Sequence, residues 1–600
     1  MTRTARILRV DLSDGSISSR PVPEAWLEKF VGGKGLGARY LYEELDPGTD
    51  PLAPENVLLF AVGPLTGYTP GEQRYAAITK SPLTGAFLDS YSGGSFPGRL
   101  AGSLGDHLLL AVTGEAERPV VLSVADGEAT LEPADDLWGA DAEATAERFP
   151  DAAVACVGQA GENGVRYATI ASDGGEHHAG RGGAGTVMGA KKLKAVVARG
   201  SAPEGLTEIR ERYGEAFAES DAGRWLAASD TLETVDFADQ VGVLPTRGWQ
   251  EGRFEGAEEI GIDRIRETAH VRERPDDPVP GGFRVEVEGD ESVPRGSTPI
   301  ALGAGLGIDD FDAVATLGAI CDRLAMDVIS AGNAVAWAVR ASQEGLLERD
   351  LAFGDETAAR KLIEEIAHRS TPLGDALAKG VEGAAEQYGG EELIPTVKGM
   401  DLSSYDPRGA ETMALAYATS DRGACHRRAR PVEVEPIVGR EWSSDEQVST
   451  VIEEQNRRAV LWSLIADDFL EDVLRADLGA EWLAAVGYDH EPEDLALAGE
   501  RIWTLVRLFN VREGFSRADD ELPAALTVPL EGGPSEGNAI DPDEFETLLE
   551  AYYARRGWDE SGRPTEQLLE RLDLMDVPDE ETAVPQVPDD VPFSEVIGDD

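Results

Sequence analysis

The stretch AGRGGAGTVMGAKKLKAV, residues 179–196, places five glycines within ten positions and then three lysines within four. Glycines let backbone N–H groups approach an anion, and TVMGAK can open a helix whose N-terminus favours negative charge. Arg181, Lys191 and Lys192 add cations to the same stretch. GRGGAG (180–185) is a literal match to the dinucleotide fingerprint G-x-G-x-x-G, which requires a strand ending at its first glycine. Here ATIAS ends eight residues earlier, and KAVVARGSAPEG offers no acidic residue where the ribose would need one. Two readings stay open from these residues, an anion cradle and a glycine-rich turn that packs tightly.

The surrounding chain is strongly acidic. Its 600 residues carry 113 Asp and Glu against 54 Lys and Arg, a formal charge of −59, and only nine of the cations are lysine. The excess is spread along the chain, as expected of a protein from a very salty cytoplasm, where salt screens self-repulsion. Nucleic acid and anionic membrane are excluded as main partners, since both need a basic footprint. MTRTARILRVDLSDG reads as strand and turn rather than signal peptide, and no apolar run reaches the ~18 residues of a membrane span. Cysteines at 156, 321 and 425 are too few for a disulfide framework. The expected location is the cytoplasm.

Short apolar runs mark strands before residue 200: RILRVDL, NVLLFAVG, YAAITKS, HLLLAVTG, PVVLSVADG, AAVACVG, RYATIAS and KAVVARG. Helical periodicity, as in PEAWLEKFVGGKGLGARYLYEEL, lies between them. Residues 1–204 therefore read as an α+β domain. Helical patterns then dominate 205–410 and 411–575, broken by the Pro- and acid-rich segment 272–299. Residues 576–600 read as an acidic disordered tail. No internal repeat is evident.

Two further units stand out. QRYAAITKSPLTGAFLDSYSGGSFPGRLAG (73–102) has an arginine at a strand start and a Ser-Gly-Gly turn. YDPRGAETMALAYATSDRGACHRRARP (405–431) sets Arg408, Arg422, Arg427, Arg428 and Arg430 around His426. With the glycine-rich stretch, CDRLAMDVISAG, GERIWTLVRLFNVREGFSRADDELP and YYARRGWDESGRPTEQLLERLDL, these blocks resemble the aldehyde ferredoxin oxidoreductase family in order and almost end to end. Members bind tungsten, occasionally molybdenum, through two molybdopterins.

The resemblance implies an N-terminal β-rich saddle beneath the cofactor, covered by two mainly helical domains. It implies pterin-phosphate contacts at Arg74, at the Ser92, Gly93 and Gly94 turn, and at Arg181, Gly182 and Gly183. The family's D-x-x-G-L-D motif corresponds to Asp322-Arg-Leu-Ala-Met-Asp327, where a carboxylate accepts the paired N–H donors of a pterin edge. His426 matches the histidine near the metal, and Arg428 falls where the family places another cation. A small aldehyde as substrate, ferredoxin or a partner subunit as electron acceptor, and a homodimer are implied in the same way.

The departures are equally specific. The family's [4Fe–4S] cysteines correspond to Val271, Arg274 and Pro278, with Asp467 at the fourth position. Thiolates normally hold such a cluster, so its absence is expected. The second pterin motif, which should begin with Asp, reads Trp462-Ser-Leu-Ile-Ala-Asp467; Ser297 replaces a glutamate, Tyr91 an asparagine and Ala325 a glycine. The expected function is oxidation of an aldehyde to a carboxylic acid at a tungsten or molybdenum bis-molybdopterin centre. The alternative is a non-redox or scaffold paralogue that keeps the fold, and a dinucleotide-dependent dehydrogenase rests on GRGGAG alone.

Overall fold

Alternation of apolar residues builds two six-stranded sheets from the first 200 residues. The computed structural model describes residues 5–437 and 441–586. The strands are β1 (Arg6–Asp11), β2 (Ile17–Pro21), β3 (Leu58–Ala61), β4 (Tyr75–Lys80), β5 (Phe87–Ser92), β6 (His107–Thr113), β7 (Val120–Ala125), β8 (Glu128–Pro133), β9 (Ala153–Cys156), β10 (Ile170–Ser172), β11 (His177–Ala179) and β12 (Leu193–Ala198). One sheet runs β2-β1-β6-β3-β4-β5, the other β11-β10-β9-β12-β7-β8. Each has a single parallel pair, β1 with β6 and β7 with β12, and is otherwise antiparallel.

The period-2 pattern explains the layering. Leu8, Val10, Leu58, Phe60, Leu110 and Val112 of the first sheet share a core with Leu122, Val124, Ala155 and Val196 of the second. Alternate residues of the first sheet (Ile7, Leu59, Ala61, Ile78, Leu109) join the larger helical core. All eight strands marked in the sequence are present. Strands β2, β5, β8 and β11 complete the sheets. His177 and His178 lie on β11, paired antiparallel with β10.

Helix Gly33–Glu44 lies on the first sheet and packs against helices Ser444–Leu464 and Pro492–Arg512. Capping explains where several helices start. Asp310 caps helix Phe311–Leu324, and Ser443 with Glu446 forms a capping box before Ser444–Leu464. The broken segment after residue 270 forms a small antiparallel sheet of Val271–Arg272, Phe283–Val287 and Asp290–Ser292. Of the acidic tail, residues 576–586 are docked: Val577 is buried, Asp579 pairs with Arg512 at 3.1 Å, and Thr582 bonds Tyr42. Residues 587–600 lie outside the described residues. Among the described residues, no helix is long and apolar enough to cross a membrane.

Candidate cofactor site

Two helix ends and two loops of the sheets meet in a matched way. Helix Phe311–Leu324 ends at Ala325 in the left-handed region (φ 53°), and Asp327 caps the next helix, with Ser330 N donating to its Oδ1 at 2.9 Å. Helix Ser444–Leu464 ends likewise at Ile465 (φ 54°), and Asp467 accepts from Phe469 N at 3.4 Å. The second oxygen of each aspartate reaches a loop of the N-terminal region. Asp327 Oδ2 accepts from Arg181 N at 2.6 Å, and Asp467 Oδ2 from Glu72 N at 3.2 Å. Each left-handed position is one that glycine fills without penalty and that an alanine or isoleucine tolerates only because tertiary contacts fix it.

Between the two halves lies a cavity of about 390 Å³. Arg74, Ser92, Gly93, Arg181, Asp322, Asp327, His426 and Arg428 all line it, so residues up to 354 positions apart in sequence (Arg74 and Arg428) converge there. Ser297, Tyr91 and Trp462, the replacements noted in the sequence, line it too. Gly94, Gly182 and Gly183 do not. Their place is behind the wall, where the turn is tight: a Cβ on Gly182 would stand 2.5 Å from Leu88 Cδ1, and all three have positive φ.

Lys191, Lys192 and Lys194 correct the charge assigned to the glycine-rich stretch, since none of them lines the cavity. Helix Ala184–Ala190 carries them about 10 Å along its axis, at 1.5 Å per residue. There Lys191 Nζ donates to Pro54 O at 2.9 Å, Lys192 pairs with Glu115 at 2.7 Å, and Lys194 pairs with Glu162 at 2.6 Å. Burial pulls Lys191 down to about 8. The glycines serve tight packing as well as the turn, while Arg181 alone brings the stretch's charge to the cavity.

Eight arginines and seven carboxylates line this one cavity, in a chain where acid outnumbers base two to one. Several of the cations are already engaged. Arg74 pairs with Glu72 at 2.9 Å and Asp467 at 3.1 Å, and Arg181 with Asp401 at 3.1 Å. Arg428 pairs with Asp421 at 2.8 Å and with Asp89. Yet Arg181 Nε, Arg422 Nε, Arg428 Nη1, Arg430 Nε and Trp462 Nε1 are buried with no acceptor among the described residues. Buried donors are normally satisfied. A concentration of unsatisfied guanidinium donors around a cavity suits an anionic ligand such as a phosphate.

The reactive groups sit on the segment Arg422–Arg430. His426 Nδ1 lies 2.9 Å from Ser403 Oγ, and its ring meets Tyr405 edge-on at 5.6 Å. Burial, followed by the charges of Arg430, Arg427, Arg181 and Arg422, holds its pKa well below the usual value. The imidazole is therefore neutral at pH 7, with one ring nitrogen a hydrogen-bond donor and the other an acceptor. The unfolded chain protonates the ring near pH 6.5, so the associated stability is present above that pH and lost as pH falls below it.

Cys425 lines the cavity with Arg422 Nη2 3.1 Å from its sulfur. Burial would raise its pKa, but Arg422 and Arg428 outweigh it and bring the thiol down to about 7. Burial instead lifts Cys156 to about 11 and Cys321 well above the usual range. Iodoacetamide is expected to label Cys425 of the native protein with a midpoint near pH 7, and to spare the other two. Peptide mass spectrometry across a pH series reads this, and labelling of Cys156 or Cys321 first would contradict it.

Several cavity residues carried no strong sequence signal. His178 lies 2.7 Å from Thr169 Oγ1 and 3.3 Å from Asp322. Burial would lower its pKa, but the hydrogen bond and charge of Asp322 raise it. His177 sits between Glu72 at 3.2 Å and Glu273 at 3.4 Å. Glu176, His177 and Glu273 come within metal-ligating range of one another, but Glu176 is paired with Arg284 and Glu273 with Arg295. The adjacency of His177 and His178 was the available signal: on a strand, neighbours face opposite sides, and both sides here meet carboxylates.

Three of the residues that the sequence reading set against the cluster cysteines fall in different surroundings. Arg274 and Asp467 line the cavity, where Arg274 lies 3.8 Å from Glu72, while Val271 is exposed. Cys156 and Cys321 are free and buried and do not line the cavity.

Comparison with known proteins gives the family. Residues 7–200 match the model of the aldehyde ferredoxin oxidoreductase N-terminal domain, and 208–574 that of domains 2 and 3. The chain is 36% identical to the tungsten-containing aldehyde ferredoxin oxidoreductase of Pyrococcus horikoshii and 35% to that of Pyrococcus furiosus. Both matches cover 95% of this chain and 98% of the relative. It is 28% identical to the WOR-like subunit of the Pyrococcus furiosus aliphatic sulfonate oxidoreductase, over 95% of this chain and 96% of that one. A chain of the active site complex BamBC of benzoyl coenzyme A reductase shares the fold, with a TM-score of 0.80 at 23% identity, covering 95% of this chain and 97% of that one. A β-rich N-terminal region followed by helical domains is the fold these oxidoreductases share. The chain belongs to the aldehyde ferredoxin oxidoreductase family.

Proposed function

We propose that this protein oxidises an aldehyde to a carboxylic acid at a tungsten–pterin (or molybdenum–pterin) centre seated in the cavity, without a [4Fe–4S] cluster of its own. The observation that carries this reading is the set of buried, acceptor-less donors on Arg181, Arg422, Arg428 and Arg430 around the cavity. When bound, the metal–pterin group supplies two-electron oxidation of the carbonyl carbon, with oxygen from water and release of two electrons and two protons. Arg181 and the Ser92–Gly93 turn hold the phosphate end, and the Asp322 carboxylate accepts from the pterin edge. His426, neutral and facing the cavity, holds or moves a proton at its ring nitrogen. Electrons pass to an external acceptor, ferredoxin or a partner subunit. The cluster-free reading is supported by the Arg274–Glu72 and Arg74–Asp467 ion pairs at positions that would otherwise carry thiolates.

The test is metal, iron and pterin content per chain of protein purified from its native host in high salt, with a viologen-linked aldehyde assay. Tungsten or molybdenum with pterin, aldehyde-dependent dye reduction and no stoichiometric iron are expected. A cluster's worth of iron would overturn the cluster-free reading, and absence of pterin would overturn the whole. His426→Gln is expected to lower kcat about 100-fold, within the usual range for a positioned acid–base, at unchanged pterin content.

A further inference from the structure

The twin helix ends are alike in backbone and unlike in chemistry. In one half the motif begins with Asp322, whose side chain is 32% accessible and lies 3.3 Å from His178. In the other half Trp462 stands at the same position, 1% exposed, with its ring centroid 4.0 Å from that of Tyr91. The pair is fixed from several sides. Tyr91 OH donates to Asp89 Oδ2 at 2.7 Å, and the guanidinium groups of Arg427 and Arg428 lie 4.9 and 5.7 Å from the indole centroid. Beyond it Asp467 is taken up by Arg74 and Glu72 N.

A pterin edge presents paired N–H donors and needs an acceptor that can take both, as a carboxylate does. Indole offers one donor and no acceptor. At Trp462 the edge would face an aromatic surface that offers its donors no acceptor. Tyr91, in turn, is bulkier than the asparagine it replaces, and its ring fills the space in front of the same helix end. The two replacements touch each other, so they act as one plug rather than as two separate losses.

We infer that this chain holds a single pterin, seated against Asp322, Thr169 and Arg181, and that the Trp462–Tyr91 pair closes the second half of the cavity. This rests on the pterin reading above and departs from the two-pterin cofactor implied by the resemblance.

The test counts pterin rather than turnover. Full-length protein is oxidised, the released pterin is quantified by fluorescence, and the intact holoprotein is weighed by native mass spectrometry. One pterin per chain is expected. Two per chain would overturn the single-pterin inference and leave the proposed function standing; none would overturn both. Asp322→Ala should reduce content at least tenfold, whereas a fall to one half would reveal a second occupied seat and overturn the inference. The pair Trp462→Asp with Tyr91→Asn is expected to raise content from one towards two; no rise in a folded double variant would show that the aromatic plug does not set the number.

Discussion

Replacing Asp421 with asparagine is expected to lower stability by about 3–5 kcal/mol, the range for removing one partner of a buried ion pair. Lys34 Nζ lies 2.5 Å from Asp421 and 3.1 Å from Asp89, and Arg428 bridges the same two carboxylates. Lys34 and Asp89 have no solvent contact at all. Two cations and two anions therefore balance out of water, beside the Phe87 ring 5.0 Å from Lys34 Nζ. Asparagine keeps the shape and removes one charge, leaving two cations on one carboxylate. Burial would raise the pKa of Asp421, but Arg428 and Lys34 outweigh it and hold it well below the carboxylate range. The folded value is depressed, so the stability it contributes is present above the unfolded value near 4 and is lost as pH falls through the folded value. Urea denaturation at fixed high salt, followed by circular dichroism, reads the loss; K34M/D421N should cost less than the sum of its single changes, because a cation and an anion leave together. The same change leaves Arg428 less neutralised, so the alkylation midpoint of Cys425 should move downward from 7.

Much of this architecture was legible because apolar alternation is a local signal. RILRVDL, YAAITKS and KAVVARG announce strands whatever they pair with. The β5 segment FLDSYS does not, because its polar residues are stabilised by distant partners. Asp89 meets Lys34 and Arg428, Ser90 donates to the Arg181 carbonyl, and Ser92 meets Ser172. For the site, Arg181, Asp322, Asp327 and His426 were legible through ordered motifs, and all four reach the cavity. Glu72 and His177 were not, since their mutual contact spans 105 positions and neither sits in a recognisable pattern. The lysines were misplaced for a geometric reason. Composition groups Lys191 with Gly180–Gly185, but the intervening helix turns that short sequence distance into a separation between cavity wall and opposite end.

Gly183→Ala is expected to cost about 3 kcal/mol or more and to abolish pterin retention, combining left-handed strain of about 1–2 kcal/mol with overpacking of about 1–3 kcal/mol. Gly183 has φ 87°, and an added Cβ would drive into the Arg166 carbonyl oxygen and stand 2.8 Å from Pro82 Cγ. Arg166 N is itself bonded to Ala378 O at 2.8 Å, so the carbonyl cannot swing away without disturbing the neighbouring helical region. Two residues earlier Arg181, also left-handed at φ 67°, carries the guanidinium held by Asp401 and Ser330. A shift of the turn therefore moves the arginine that reaches the cavity. Gly182→Ala meets the end of the Leu88 side chain rather than backbone and should cost less. Gly174→Ala supplies the control: its φ is 72° but nothing lies within 4 Å, so it should show the left-handed strain of about 1–2 kcal/mol alone. Denaturation midpoints ranked Gly183 worst, Gly182 intermediate and Gly174 mildest, with pterin lost only where the turn shifts, would identify close packing as what fixes Arg181. Equal losses at all three would assign the effect to backbone conformation alone.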